Sequence, residues 1–82
     1  MKPFTYTYQG QTHSAFADHY LVDGYKRYLI ACNDGNFVIA PSGIPGAGGT
    51  IVWVQENQPG ETLHPHELIQ ALGEGLHDAE HV

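Results

Sequence analysis

Phe4, Tyr6 and Tyr8 alternate with Thr5 and Thr7, and this period of two predicts a half-buried strand made of good strand formers. Gln9-Gly10 follows as a tight turn. A two-residue hairpin there sets Tyr8 opposite Gln11, Tyr6 opposite His13 and Phe4 opposite Ala15, all on one face. Phe16 falls on the other face, so a bulge or break in the second strand is expected near Ala17-Asp18. His19-Tyr20-Leu21-Val22 leads into Asp23-Gly24, and a stronger strand from Tyr25 to Cys32 precedes a second Asp-Gly at Asp34-Gly35. Asp-Gly between apolar runs signals a hairpin, because a type I′ turn needs φ > 0 at both central positions. Pairing about Asp34-Gly35 puts Cys32 opposite Phe37, Ala31 opposite Val38 and Ile30 opposite Ile39, which leaves both faces of this hairpin apolar.

Pro41 is expected to end that strand, and residues 42–50 read as a Gly-rich loop. Ile51-Val52-Trp53-Val54 predicts a buried strand that turns polar at Gln55-Glu56, and Gln58-Pro59-Gly60 turns the chain. The remainder predicts one helix. His64 stands at its cap, Pro65 at the first helical position, and Glu67 close to the positive end of the dipole. Leu63 and Leu68 have the spacing of a hydrophobic staple. Leu68, Ile69, Leu72 and Leu76 form an apolar stripe, with Glu67, Gln70, Glu74 and Asp78 outside it. Gly73 and Gly75 each cost a helix up to about 1 kcal/mol against Ala. They are accounted for by a close approach to a neighbour or by weak last turns.

These elements make an α+β fold, an antiparallel sheet of about five strands followed by one C-terminal amphipathic helix packed on one face, with residues 1–82 as a single domain. One helix covers one face of a sheet whose central hairpin is apolar on both. The second face must then be closed by curling or by another chain, and a homodimer is the expected solution.

Charge narrows the partners. Three Lys or Arg stand against nine Asp or Glu, for a net charge of −6, and beyond Tyr28 every formal charge is negative. Direct nucleic-acid binding and adhesion to anionic membranes are therefore not expected. The chain has no apolar run long enough to span a bilayer, and its first residues lack the apolar core of a secretory signal. A cytoplasmic protein is expected. Cys32 is the one cysteine, so no intrachain disulfide or multi-thiolate metal site can form.

The six histidines call for a metal check. His77-Asp78-Ala79-Glu80-His81 fits the H-x-x-E-H spacing, with His77 and His81 on one helical face. A zinc peptidase needs a third protein ligand and a cleft, so these two are only weak candidates and no metal or other cofactor is expected. Tyr6, Tyr8, Tyr28, Phe37 and Trp53 supply the large amphipathic side chains from which interface hot spots are made. With the loop glycines Gly46, Gly48 and Gly49 they are the expected binding residues. The sequence thus points to a small acidic, non-enzymatic protein-binding module, homodimeric, which engages itself and an unidentified protein through an aromatic sheet face and the Gly-rich loop. One alternative is a nucleic-acid-mimicking decoy from a phage or mobile element, using Glu67, Glu74 and Asp78 in place of phosphates. A second is a small-ligand binder or enzyme with a pocket holding Tyr6 and His13.

Overall fold

The computed structural model describes residues 1–45, 50–56 and 62–80. Five strands, β1 (Lys2–Tyr8), β2 (Gln11–Val22), β3 (Tyr25–Cys32), β4 (Gly35–Pro45) and β5 (Ile51–Glu56), precede the helix α1 (His66–Glu80). The strands form one antiparallel sheet in chain order, β1-β2-β3-β4-β5. The sheet curls, so that α1 packs against both outer strands, β1 and β5, as well as β4.

The first two hairpins follow from their turns. Gln9 and Gly10 have φ of 53° and 75°, and Asp23 and Gly24 have 52° and 83°, the positive pairs that a type I′ turn requires. Tyr8, Tyr6 and Phe4 accordingly pair with Gln11, His13 and Ala15. The third hairpin departs from expectation. Cys32 pairs with Gly35, Ala31 with Asn36 and Ile30 with Phe37, so Asn33-Asp34 occupies the middle of the turn. The positive φ, 115°, falls on Gly35 at the strand entry, where only glycine takes it without strain. The shift is by two residues, and side chains alternate with a period of two, so every residue keeps its face.

Four further expectations are corrected. No register break interrupts β2 at Ala17-Asp18, because Phe16 can remain exposed on the second face. The fourth strand does not stop at Pro41, which pairs with Trp53 before a register shift that ends at Pro45 opposite Ile51. The ladder with β3 extends only to Tyr28–Ile39, so the missing N–H of Pro41 costs no bond on that side. The helix begins one residue later than expected: Pro65 is its cap, and the Pro65 carbonyl accepts from the Leu68 and Ile69 N–H groups at 3.0 and 3.3 Å. Leu63, 68% exposed, makes no staple, and His64 instead lays its ring on Phe37 with centroids 4.4 Å apart. The Gln58-Pro59-Gly60 turn lies outside the described residues.

The core lies between helix and sheet. Leu68, Ile69, Leu72 and Leu76 meet Phe4, Tyr6, Ala15, Ala17, Tyr28, Ile30, Phe37, Ile39 and Trp53, all from the phase of each strand that faces α1. Gly73 and Gly75 let the helix backbone approach this closely. A Cβ on Gly73 would fall inside the Trp53 indole, and one on Gly75 would lie 2.5 Å from the Thr5 carbonyl oxygen and 2.8 Å from the Tyr6 Cβ.

A side chain of the helix also closes the open edge of β5. The Gln70 amide donates to the Ile51 carbonyl at 2.8 Å and accepts from the Trp53 N–H at 2.9 Å, the two bonds that a peptide group of a sixth strand would make. An edge so occupied does not recruit further strands. Replacing Gln70 with Ala leaves both strand groups without their partner. A loss of about 1–3 kcal/mol is expected, read as a lower urea midpoint, with faster amide exchange at Trp53.

Candidate interaction surface

The expected binding residues mostly line the core. Tyr6, Tyr28, Phe37 and Trp53 are buried beneath α1, and Tyr8 is half-buried at the margin. The helix covers the more aromatic of the two sheet faces and in doing so takes these side chains out of reach. Gly46, Gly48 and Gly49 lie outside the described residues.

Many of the exposed apolar side chains stand on the opposite phase of the same strands. Phe16, Tyr20, Leu29 and Val54 are 51, 45, 38 and 37% exposed, and Val22 and Tyr25 extend the group to the β2–β3 turn. Register sets their neighbours. Phe16 pairs with Ala31, Leu29 with Val38 and Ala40 with Val54, so a diagonal apolar strip crosses β2, β3, β4 and β5 on the helix-free face, while Asp18 opposite Leu29 and Arg27 opposite Tyr20 separate it from Tyr20, Val22 and Tyr25. The expected buried character of the fifth strand holds only at Trp53: Val54 is exposed on the helix-free face, and Ile51, on the same phase as Trp53, is exposed at the start of the strand. Polar residues edge the strip on the β1 side, where Thr5 faces Ser14 and Thr7 faces Thr12. Sequence reasoning missed these residues because it weighed side-chain size before phase. The signal was present in the placing of Phe16 on the face opposite Tyr6.

The charges on this face are matched. Arg27 Nε reaches from β3 across β4 to Glu56 Oε1 on β5, at 3.4 Å, and Asp18 holds the N-terminal ammonium at 3.2 Å. The unbalanced acids lie elsewhere, at Asp23 and Asp34 in turns and at Glu67, Glu74, Asp78 and Glu80 on α1. The result is a near-neutral apolar sheet surface on one side of an acidic protein.

The remaining candidates are placed as follows. His13 stacks on Tyr6, with centroids 5.3 Å apart and planes at 27°, and the two line a surface depression together with Asn33 and Asp34. Trp53 belongs to a different depression, beside Glu74 and His77. His77 is half-buried on α1, and His81 lies outside the described residues. Among the described residues no group of three or more His, Cys, Asp or Glu side chains is placed to hold a metal ion, and no helix is long and apolar enough to cross a membrane. Burial pushes the Cys32 thiol up, and the Asp34 charge adds to this against backbone hydrogen bonds that lower it.

Glu80, near the end of α1, turns back to the sheet and accepts from the Tyr28 hydroxyl at 3.0 and 3.2 Å. Burial first, and then this hydrogen bond and the carboxylate's charge, push the Tyr28 hydroxyl up from 10.0 to about 12. The folded chain therefore holds a proton that the unfolded chain releases, and the stability gained is complete below pH 10.0 and lost as pH rises toward about 12. Tyr6 is raised in the same direction, by burial and then by Cys32 and Asp34. Urea unfolding across this window should show wild-type stability falling with pH, and Tyr28→Phe should flatten the fall to the part that Tyr6 and Cys32 contribute.

Comparison of the chain with protein-family models, curated proteins and solved structures finds no match.

Proposed function

We propose that this chain is a small acidic, non-enzymatic protein-binding module, and that the helix-free sheet face is its binding surface. The observation that carries the reading is the group of exposed apolar side chains Phe16, Tyr20, Leu29 and Val54 on one face, with threonines at its β1 edge and the ion-paired Asp18 and Arg27 among them. An apolar centre with a polar rim is the anatomy of protein interfaces, and an exposed apolar group of this kind has a free-energy reason to be covered. The central position of Leu29, with Phe16 and Val38 beside it, marks where binding energy concentrates. A cytoplasmic setting is part of the proposal, since the lone Cys32, half-buried with a raised thiol pKa, suits a compartment that keeps thiols reduced.

The placement of the acids favours this reading over a phosphate-mimicking decoy. Glu80 is engaged by Tyr28, and Glu74 accepts from the Gln70 amide at 3.2 Å, so half of the helix's four carboxylates are already in use within the chain.

A photoreactive side chain placed at Leu29 tests the surface in the cells that make the protein, with the same group at Asp78 on the exposed side of α1 as reference. Defined protein adducts from position 29, and few from 78, are expected. Adducts from 78 with none from 29 would place the working surface on the helix and reject the proposal.

A further inference from the structure

We infer that the occupant of the helix-free face is a second copy of this chain; the inference rests on the binding surface just described. Three features point to a like partner rather than a charged one. First, Arg27 is matched by Glu56 and Asp18 by the N-terminus, so the face offers no net charge for an oppositely charged partner to read. An identical neutral apolar face is complementary to it.

Second, geometry keeps the charge of two copies apart. Packing the two sheets face to face puts each acidic α1 on an outer side. With layers about 10 Å apart the two helices then stand roughly 30 Å from one another, several times the ~8 Å screening length at physiological salt. A chain of net charge −6 can therefore self-associate through this face and not through its helix. The sheet's curl is no obstacle, because a twisted sheet is saddle-shaped and two saddles nest when their strands cross near right angles.

Third, the size is adequate and one of the two strand-edge routes is obstructed. The molecule extends 33 × 32 × 23 Å, and its broad side presents roughly 1,000 Å² against about 800 Å² per partner in a standard stable interface. Pairing by strand addition at β5 is hindered because Gln70 already bonds Ile51 and Trp53. Association through the face buries Phe16, Leu29 and Val54 across a two-fold axis, with β3 at its centre.

Sedimentation equilibrium of the full chain measures this. The expected species has about twice the 9.0 kDa chain mass. Leu29→Asp or Phe16→Asp should weaken dimerisation by roughly 100-fold or more, since either buries an unpaired charge in the contact. Asp78→Ala should leave the dimer intact. Melting curves confirm that each variant is folded, and both face positions are exposed enough to be replaced without emptying the core. A 9.0 kDa species at the highest concentrations reached, or a dimer unmoved by both folded face variants, overturns the inference. If the chain is monomeric and position 29 still crosslinks to a different protein, the second-copy inference fails and the binding surface stands. A monomer with no crosslink at position 29 removes both.

Discussion

Gly73→Ala and Gly75→Ala each destabilise this protein, although alanine is the better helix former. The propensity gain is about 1 kcal/mol. Against it stands a methyl group with nowhere to go: at Gly73 it enters the Trp53 indole, and at Gly75 it meets the backbone oxygen of Thr5. A core ring can tilt and a strand carbonyl in a ladder cannot, so Gly75→Ala has less room to relax. Overpacking of this kind costs about 1–3 kcal/mol and sometimes more. The net loss reaches about 2 kcal/mol at the upper end of that range, near 10 °C in melting temperature for a domain of this size. Glu74→Ala, between them and exposed, should move the midpoint by less than about 0.5 kcal/mol.

Trp53→Ala is the second large loss, about 3–5 kcal/mol. The indole is 4% exposed, stacks at a tilt on Tyr28 with centroids 5.6 Å apart, and lies directly beneath Gly73. Removing it empties the space between β5 and the helix while the backbone around it stays tied by the Gln70 bonds. The two sites are therefore coupled. In the Trp53→Ala background the methyl of Gly73→Ala finds vacant volume, and its cost should fall to near zero or reverse sign. A double-mutant cycle in urea reads that coupling directly, and additive losses would show that Gly73 does not face the indole as described.

The fold was legible wherever one local rule decided the outcome. The alternation of Phe4, Tyr6 and Tyr8, the turns at Gln9-Gly10 and Asp23-Gly24, and the stripe from Leu68 to Leu76 fix five strands, one helix and the phase of the first hairpin. Where two rules competed, the reading slipped. At Asn33-Asp34-Gly35 the choice between an Asp-Gly and an Asn-Asp turn depends on where the positive φ falls, and either choice preserves the faces. At Pro41 the strand continues because the neighbour that would need its N–H has already ended.

That one sheet face stays uncovered by the helix was legible, but which side chains stand on it was not. An uncovered apolar face follows from counting one helix against a two-faced hairpin. Which face stays open depends on the full register, because β1 contributes Phe4 and Tyr6 to one side and Thr5 and Thr7 to the other. The helix settles on the side to which β1, β3, β4 and β5 add large side chains and β2 adds only Ala15 and Ala17. Tyr6, Tyr28, Phe37 and Trp53 therefore become core, and Phe16, Leu29 and Val54 become surface. The hydrogen bonds of Gln70 had no signature at all, since a glutamine beside an apolar stripe is an ordinary solvent-facing residue until the edge of β5 is placed against it.

The central claim, that the helix-free face closes against a second copy of the chain, is tested most directly by hydroxyl-radical footprinting of the aromatic side chains across a concentration series. Phe16, Tyr20 and Tyr25 should label readily in dilute protein and become protected together as concentration rises, while Tyr6, Tyr28 and Trp53 stay unreactive throughout. Unchanged labelling of Phe16, Tyr20 and Tyr25, with protection appearing on the α1 side instead, would contradict the account.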